Sequence, residues 1–362
     1  MQLTDTWYAV ELSSNLKQKP ISIELFESKI CLWRDQKGFP HAIVDRCPHK
    51  GAALSKGKVL GDQLQCPYHG WIYDKQGKCV TIPAALPEQA IPKKACVQTF
   101  DCKEQRGLIF LWWGNSEPEP LPDLNLVPNS DDSTWRVLEG EAIWEAHWIR
   151  ALEGFTDLTH VPFVHSGSFG NSSDARVLPT KKSITPYCLS QTILTPRDRE
   201  YRKTQRWSIN QLLPFNKKKK NQPEEVAAVE ANEVSESEGA QYVELWLPNI
   251  VFIRVVFSDF QIYLLLVSVP ISGQRTRNIW KHFRSFLKTP LADNNARNRV
   301  IKFLQEDQHI IESIEPHCPS LEQPKDLLHD TDVVTIELRK LLRKKGKNGF
   351  LQEYDATLSK NT

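Results

Sequence analysis

Cys47-Pro48-His49 and, sixteen residues further on, Cys66-Pro67-Tyr68-His69-Gly70-Trp71 decide how the rest of this chain is read. Each segment carries one thiol and one imidazole beside a proline, with a glycine close behind. Two Cys/His pairs on two loops supply mixed sulfur and nitrogen ligation. That donor set suits a structural zinc, or a [2Fe–2S] cluster with two cysteines on one iron and two histidines on the other. In zinc sites of the Cys2His2 finger type a cysteine pair precedes a histidine pair. Here each loop gives one of each, so each loop can serve both irons of a cluster.

The C-x-H and C-x-x-H pattern with this separation resembles the Rieske family, and its oxygenase branch in particular. Respiratory-type Rieske proteins carry an extra cysteine in each loop, and Ala52 and Tyr68 stand in those places here. The resemblance implies that Cys47, His49, Cys66 and His69 hold a [2Fe–2S] cluster.

The chain has 362 residues, enough for two domains with their own cores. Its 46 basic and 44 acidic residues nearly balance, which gives no reason to expect nucleic acid. Two of the eight cysteines belong to the motif. Cys31, Cys79, Cys96, Cys102, Cys188 and Cys318 are scattered and read as reduced thiols of a cytoplasmic protein. No signal peptide is expected, and the longest apolar runs, 250–257 and 262–267, are too short to span a bilayer.

The division expected from composition is an all-β unit over residues 1–115 and a second unit over 116–362, with the proline-rich stretch 118–128 at the junction. Alternation at Ile21-Ser22-Ile23-Glu24-Leu25-Phe26 and Ile30-Cys31-Leu32-Trp33 predicts strands, and Gly107 to Trp113 reads as a closing strand. Beyond the junction the reading is a helix over 140–158, strands over 183–271, and helices over 294–314 and 332–345. Four lysines (217–220) followed by six glutamates mark 215–240 as a disordered insertion. The basic run 339–347 reads as a solvated face.

A second constellation lies in Glu153-Gly154-Phe155-Thr156-Asp157-Leu158-Thr159-His160-Val161-Pro162-Phe163-Val164-His165. Asp157 and His160 are three apart, which on one helix puts them on a shared face. Pro162 is expected to end that helix, letting His165 return from a turn. Two histidines so presented match the nitrogen half of a 2-His-1-carboxylate iron site. Helical phase points to the carboxylate. Val300, Phe303, Leu304, Ile310, Ile311 and Ile314 form an apolar stripe, and Asp307 falls within it, where an acid needs a partner. His309 lies off the stripe and is expected to be exposed. Asp326 and Glu312 are the alternative acids.

The oxygenase resemblance extends over nearly the whole chain. It implies an α+β protein: an all-β Rieske [2Fe–2S] domain, then a START-like helix-grip catalytic domain. It implies mononuclear Fe(II) on His160, His165 and Asp307, with Asp157 bridging His160 to His69 of a neighbouring subunit in a homotrimer. Family members often carry Asn where this chain has Gly154. No flavin or nicotinamide fingerprint is present, so a separate ferredoxin or flavin reductase is implied. The implied reaction uses O2 to hydroxylate or dealkylate a small cyclic molecule, as vanillate-demethylase-type enzymes do. The runners-up are a chlorophyll-catabolite-type oxygenase and a Rieske electron-transfer protein. The latter leaves Asp157, His160, His165 and Asp307 without a role.

Overall fold

The computed structural model describes residues 1–166, 175, 181–194, 240–256, 260–349 and 351–352. The expected insertion, 215–240, lies outside them except for residue 240. Twenty strands and four α-helices are described, and the chain is α+β as expected.

Strands β2 to β12 build three small antiparallel sheets. One contains β2 (Thr6–Leu12), β11 (Cys102–Gln105) and β12 (Leu108–Trp113), in the order β11-β12-β2. A second orders β10 (Thr99–Phe100), β5 (Pro40–Val44), β4 (Ser28–Arg34) and β3 (Ile21–Leu25). The third is a meander of β6 (Lys58–Leu60), β7 (Gln63–Gln65), β8 (Ile72–Tyr73) and β9 (Cys79–Thr81). The two Cys/His loops leave β5 and β7. They close with Gly51 and Gly70 at φ +75° and +71°, left-handed backbone that glycine adopts without strain. A compact core of Cys31, Trp33, Ile43, Leu54, Leu64, Tyr73 and Cys79 supports both loops.

The second half is a seven-stranded antiparallel sheet. Its strands are β13 (Arg136–Trp144), β14 (Lys181–Ile184), β15 (Cys188–Leu194), β16 (Ala240–Trp246), β17 (Ile250–Val256), β18 (Gln261–Ser272) and β19 (Arg275–Arg284), ordered β13-β19-β18-β17-β16-β15-β14. One face is covered by α1 (Trp148–Thr156), α3 (Asp293–Ile311) and α4 (Val333–Lys347), with a short α2 (Val161–Val164) after α1. At the ends of the chain, β1 (Gln2–Leu3) pairs with β20 (Leu351–Gln352).

Residues 140–158 are not one helix. The first part is an edge strand, in register with β19 from Arg136↔Arg284 to Trp144↔Thr276. Glu139, Glu141 and Ala142 favour a helix locally. The long ladder to β19 and the burial of Trp144 override them. The strand β19 itself, Arg-Thr-Arg-Asn-Ile-Trp-Lys-His-Phe-Arg, shows no apolar/polar alternation because it is buried on both faces.

The larger core joins the two halves. Tyr8, Val10, Phe110 and Leu111 belong to the same buried cluster as Trp144, Phe252 and Phe283. Polar ties cross it as well. Asn249 is fully buried, accepts from Ala9 N at 3.2 Å and donates to Ala9 O at 2.8 Å and Ser268 O at 3.3 Å. Lys281, also buried, reaches Ser130 Oγ at 2.7 Å and Glu139 Oε1 at 3.0 Å.

Asn249→Ala would strand both backbone groups of Ala9 in the core. A loss of about 2–4 kcal/mol is expected in chemical denaturation, since each buried polar group left without a partner costs about 1–3 kcal/mol. A loss below about 0.5 kcal/mol would show that water replaces the amide.

Candidate metal centres

Cys47 and Cys66 are buried at 1% and 2% exposure, whereas His49 is exposed and His69 half-buried. The thiols point into the small core and the imidazoles stand at the surface. Backbone bonds shape both loops: Cys47 N to Ala52 O and Cys66 N to Trp71 O, each 2.8 Å. The His49 and His69 rings lie 4.5 Å apart, and Trp71 stacks on His49 at 4.6 Å. Tyr73 OH lies 3.0 Å from Cys47 Sγ. Burial pushes the Cys66 thiol pKa up, and the neighbouring Cys47 adds to the shift. Two buried thiols facing one another with two outer imidazoles fit a two-iron cluster.

A lone zinc fits less well. Zinc bonds of 2.0–2.3 Å hold its four ligand atoms within about 4 Å of one another. Among the described residues, the group of three or more Cys, His, Asp or Glu whose ligand atoms lie within 4.8 Å of one another is elsewhere: His160, His165 and Asp307.

Two of the three flank one short helix and the third comes from another. Helix α1 ends at Thr156, whose hydroxyl donates back to Leu152 O at 2.8 Å while Asp157 N caps onto Glu153 O. Asp157 and His160 therefore do not share a helix face. The chain leaves the helix after Thr156 and bends at Thr159–His160, and His160 is the N-cap of α2. Pro162 starts this second helix in its first turn instead of ending the first, a position where its missing N–H costs nothing. His165 follows at the C-cap and is fully buried.

Asp307 enters from α3, where Val300, Leu304, Asp307 and Ile311 are the buried positions. Ile310, read as part of the stripe, is exposed, and so is His309. Asp307 Oδ1 lies 3.3 Å from His160 Nε2 and 3.1 Å from His165 Nε2. The two rings are 5.3 Å apart at 70°. Asp307 Oδ2 is buried without a hydrogen bond. Two imidazole nitrogens and a buried carboxylate converging on one point make a facial set suited to a divalent iron.

Behind the rings stand two more carboxylates. Asp157 Oδ2 lies 3.5 Å from His160 Nδ1, and its Oδ1 accepts from Thr159 N and Oγ1 at 2.7 and 2.6 Å. Glu306 Oε2 lies 2.8 Å from His165 Nδ1. Sequence reasoning missed Glu306, because a glutamate on a mixed helix carries no signal of what it meets. Burial alone would lower the His160 pKa, but Asp157 and Asp307 outweigh it and raise it to about 9.

The alternative acids are engaged elsewhere. Asp326 bonds Arg150 Nη1 at 3.0 Å and Arg339 Nη2 at 2.5 Å, and Glu312 accepts from Glu145 N and Gln308 Nε2. Arg339 corrects the reading of 339–347 as a solvated face. It is 1% exposed and grips Glu153 through Nε at 2.6 Å and Nη2 at 3.0 Å, clamping α4 to α1. Gly154 has a packing reason, since a Cβ there would lie 2.7 Å from Ile311 Cδ1 on α3.

Residues 6–101 match the Rieske [2Fe-2S] domain, and residues 144–348 match the vanillate O-demethylase oxygenase C-terminal domain. Methylxanthine N1-demethylase NdmA of Pseudomonas putida is 40% identical over 135 residues, 37% of this chain and 38% of that protein. Chlorophyllide a oxygenase of Chlamydomonas reinhardtii is 34% identical over 171 residues, 46% of this chain and 25% of that protein. The solved structure of Pseudomonas putida NdmA with caffeine superposes with a TM-score of 0.73 at 25% identity, covering 96% of this chain and 92% of that one. The chain spans between a quarter and a half of the length of the curated relatives it matches.

A histidine raised in the folded state stabilises most below its unfolded pKa. In metal-free protein that contribution is fully present below pH 6.5 and is lost as pH rises through about 9. The Tm of chelated protein should fall across this window, and His160→Gln should flatten the dependence. Divalent metal must displace the same proton, so its affinity should rise with pH up to about 9. Pairs of melting curves and metal titrations between pH 6 and 9 check both trends, and a flat profile in each would contradict them.

Proposed function

The chain belongs to the Rieske-type oxygenase family, with a Rieske domain ahead of a vanillate O-demethylase oxygenase C-terminal domain, and from that premise we propose that it is a terminal oxygenase acting on a small cyclic substrate. The observation that carries the reading is the meeting of His160 Nε2 and His165 Nε2 on Asp307 Oδ1, in a chain that also presents two Cys/His loops. Cys47 and Cys66 would hold one iron of a [2Fe–2S] cluster, and His49 and His69 the other. His160, His165 and Asp307 would hold a ferrous ion. When bound, these groups supply one-electron storage and the activation of O2. We take the division of labour to follow residues 1–115 and 116–362.

The chain's own residues shape what happens around the centres. His160, His165 and Asp307 would hold the ion through three protein donors, a ligand set suited to O2 chemistry. Phe303 packs on the His165 ring at 4.4 Å and limits its tilt. Thr276 bonds Ala146 O, so even-numbered side chains of β19 face the helices, His282 among them. Burial, with Arg284 nearby, lowers the His282 pKa to about 4, and its Nδ1 has no hydrogen bond. NdmA, whose solved structure contains caffeine, supports methylated nitrogen heterocycles as the first class to try.

Surface placement of His49 and His69 supports electron entry from a separate ferredoxin or flavin reductase. Asp157 keeps 32% side-chain exposure, which supports the trimer arrangement in which it would face His69 of a neighbouring subunit. Among the described residues no helix is long and apolar enough to cross a membrane. A chlorophyll-type substrate is the second reading, favoured by the likeness to chlorophyllide a oxygenase.

Reconstitution with a ferredoxin reductase and NADH should give substrate-dependent O2 uptake on a panel of N- and O-methylated rings, with formaldehyde released wherever a methyl group is removed. Asp307→Ala should leave the cluster's absorption and EPR intact, lose mononuclear iron and reduce uptake to background. Turnover of tetrapyrroles alone would move the assignment to the second reading. Wild-type turnover by Asp307→Ala would overturn the iron site.

A further inference from the structure

Taking His160, His165 and Asp307 as the iron ligands, we propose that Glu306 is a positioning residue that holds the His165 imidazole with its Nε2 lone pair aimed at the metal. Glu306 Oε2 is 2.8 Å from His165 Nδ1. A neutral imidazole that gives its Nε2 lone pair to a metal keeps its proton on Nδ1, and an ionised Glu306 can only accept from it. His165 is 0% exposed. Its Nε2 lies 3.1 Å from Asp307 Oδ1 and its face lies against Phe303.

The two carboxylates that address this ring are neighbours on one nineteen-residue helix. Asp307 stands in front of the ring and Glu306 behind it, so a single rigid element sets both the ligand and the brace. One turn earlier, Lys302 Nζ sits 3.6 Å from Glu306 Oε1. The brace on His160 is looser. Asp157 is 3.5 Å away, already engaged by Thr159, and lies between α1 and the bend before α2. The His160 side is therefore free to answer to another partner, while the His165 side is fixed from within the chain. A carboxylate behind a ligating imidazole also raises the ring's basicity.

The test uses full-length protein with its cluster oxidised, and so EPR-silent, after chelation of the mononuclear metal. Anaerobic Co(II) titration gives the affinity and low-temperature Co(II) EPR the geometry. Glu306→Ala should weaken binding by about 10- to 100-fold and change the Co(II) spectrum. Glu306→Gln, whose amide oxygen still accepts from Nδ1–H, should recover most of the spectrum and part of the affinity. Should the alanine variant not fold, Glu306→Met fills the same volume and carries the same expectation. Wild-type affinity and spectrum in the alanine or methionine variant would overturn the proposal. So would a glutamine variant as impaired as these, because charge and not orientation would then be the cause. His165→Ala separates the two levels: if it too binds Co(II) like the wild type, the ligand reading fails; if it abolishes binding while Glu306→Ala does not, only the role of Glu306 fails.

Discussion

A carboxylate on the buried face of a long helix is costly unless something of opposite character meets it, and Asp307 meets two imidazoles. This requirement organises the second half of the chain. Helix α3 must lie with Asp307 inward, α1 must end early enough for the chain to turn, and α2 must return His165 to the same point. Arg339 secures the arrangement from the far side. It pairs with Glu153 in the last turn of α1, the residue whose carbonyl receives Asp157 N. The clamp that joins α4 to α1 is thus one residue contact away from the bend that presents His160.

The two histidines of the candidate iron site are braced from behind in different ways. Glu306 is part of the helix that carries Asp307, while Asp157 stands between α1 and the bend and remains partly open to solvent. One brace is a property of a single rigid element. The other lies where a neighbouring chain can reach it. In the first half the thiols are inside and the imidazoles outside, so that centre too has a fixed inner side and an accessible outer one.

The halves are held together by more than a linker. A shared apolar core, the Asn249 side chain completing the ladder at Ala9 and the buried Lys281 tie β2 and the β11–β12 sheet to the large sheet. Such ties bury polar groups only where every one finds a partner, which specifies one relative placement of the two sheets.

How much was legible beforehand divides along the reach of the interactions. Local pattern carried the Cys/His loops, the strands at Ile21–Leu25, Ser28–Arg34 and Leu108–Trp113, and helices α3 and α4 to within a few residues. Asp307 was legible because a charged residue breaking a 3.6-residue apolar stripe is itself a local anomaly. Where the chain answers to distant partners, the sequence was silent or misleading. Residues 136–144 pair as a strand because β19 lies beside them, despite helix-favouring glutamates and alanine. The early end of α1 and the new start at His160 follow from capping by Thr156 and Asp157 and from Pro162 opening a turn instead of closing one. Arg339 looks like one more cation in a basic run until the fold sets Glu153 and Asp326 against it, and Glu306 has no signature at all until α3 brings it behind His165. Donor identity and period reside in the order of residues; the direction a side chain faces across tens of residues is set only when burial and hydrogen bonding select one packing of the whole chain.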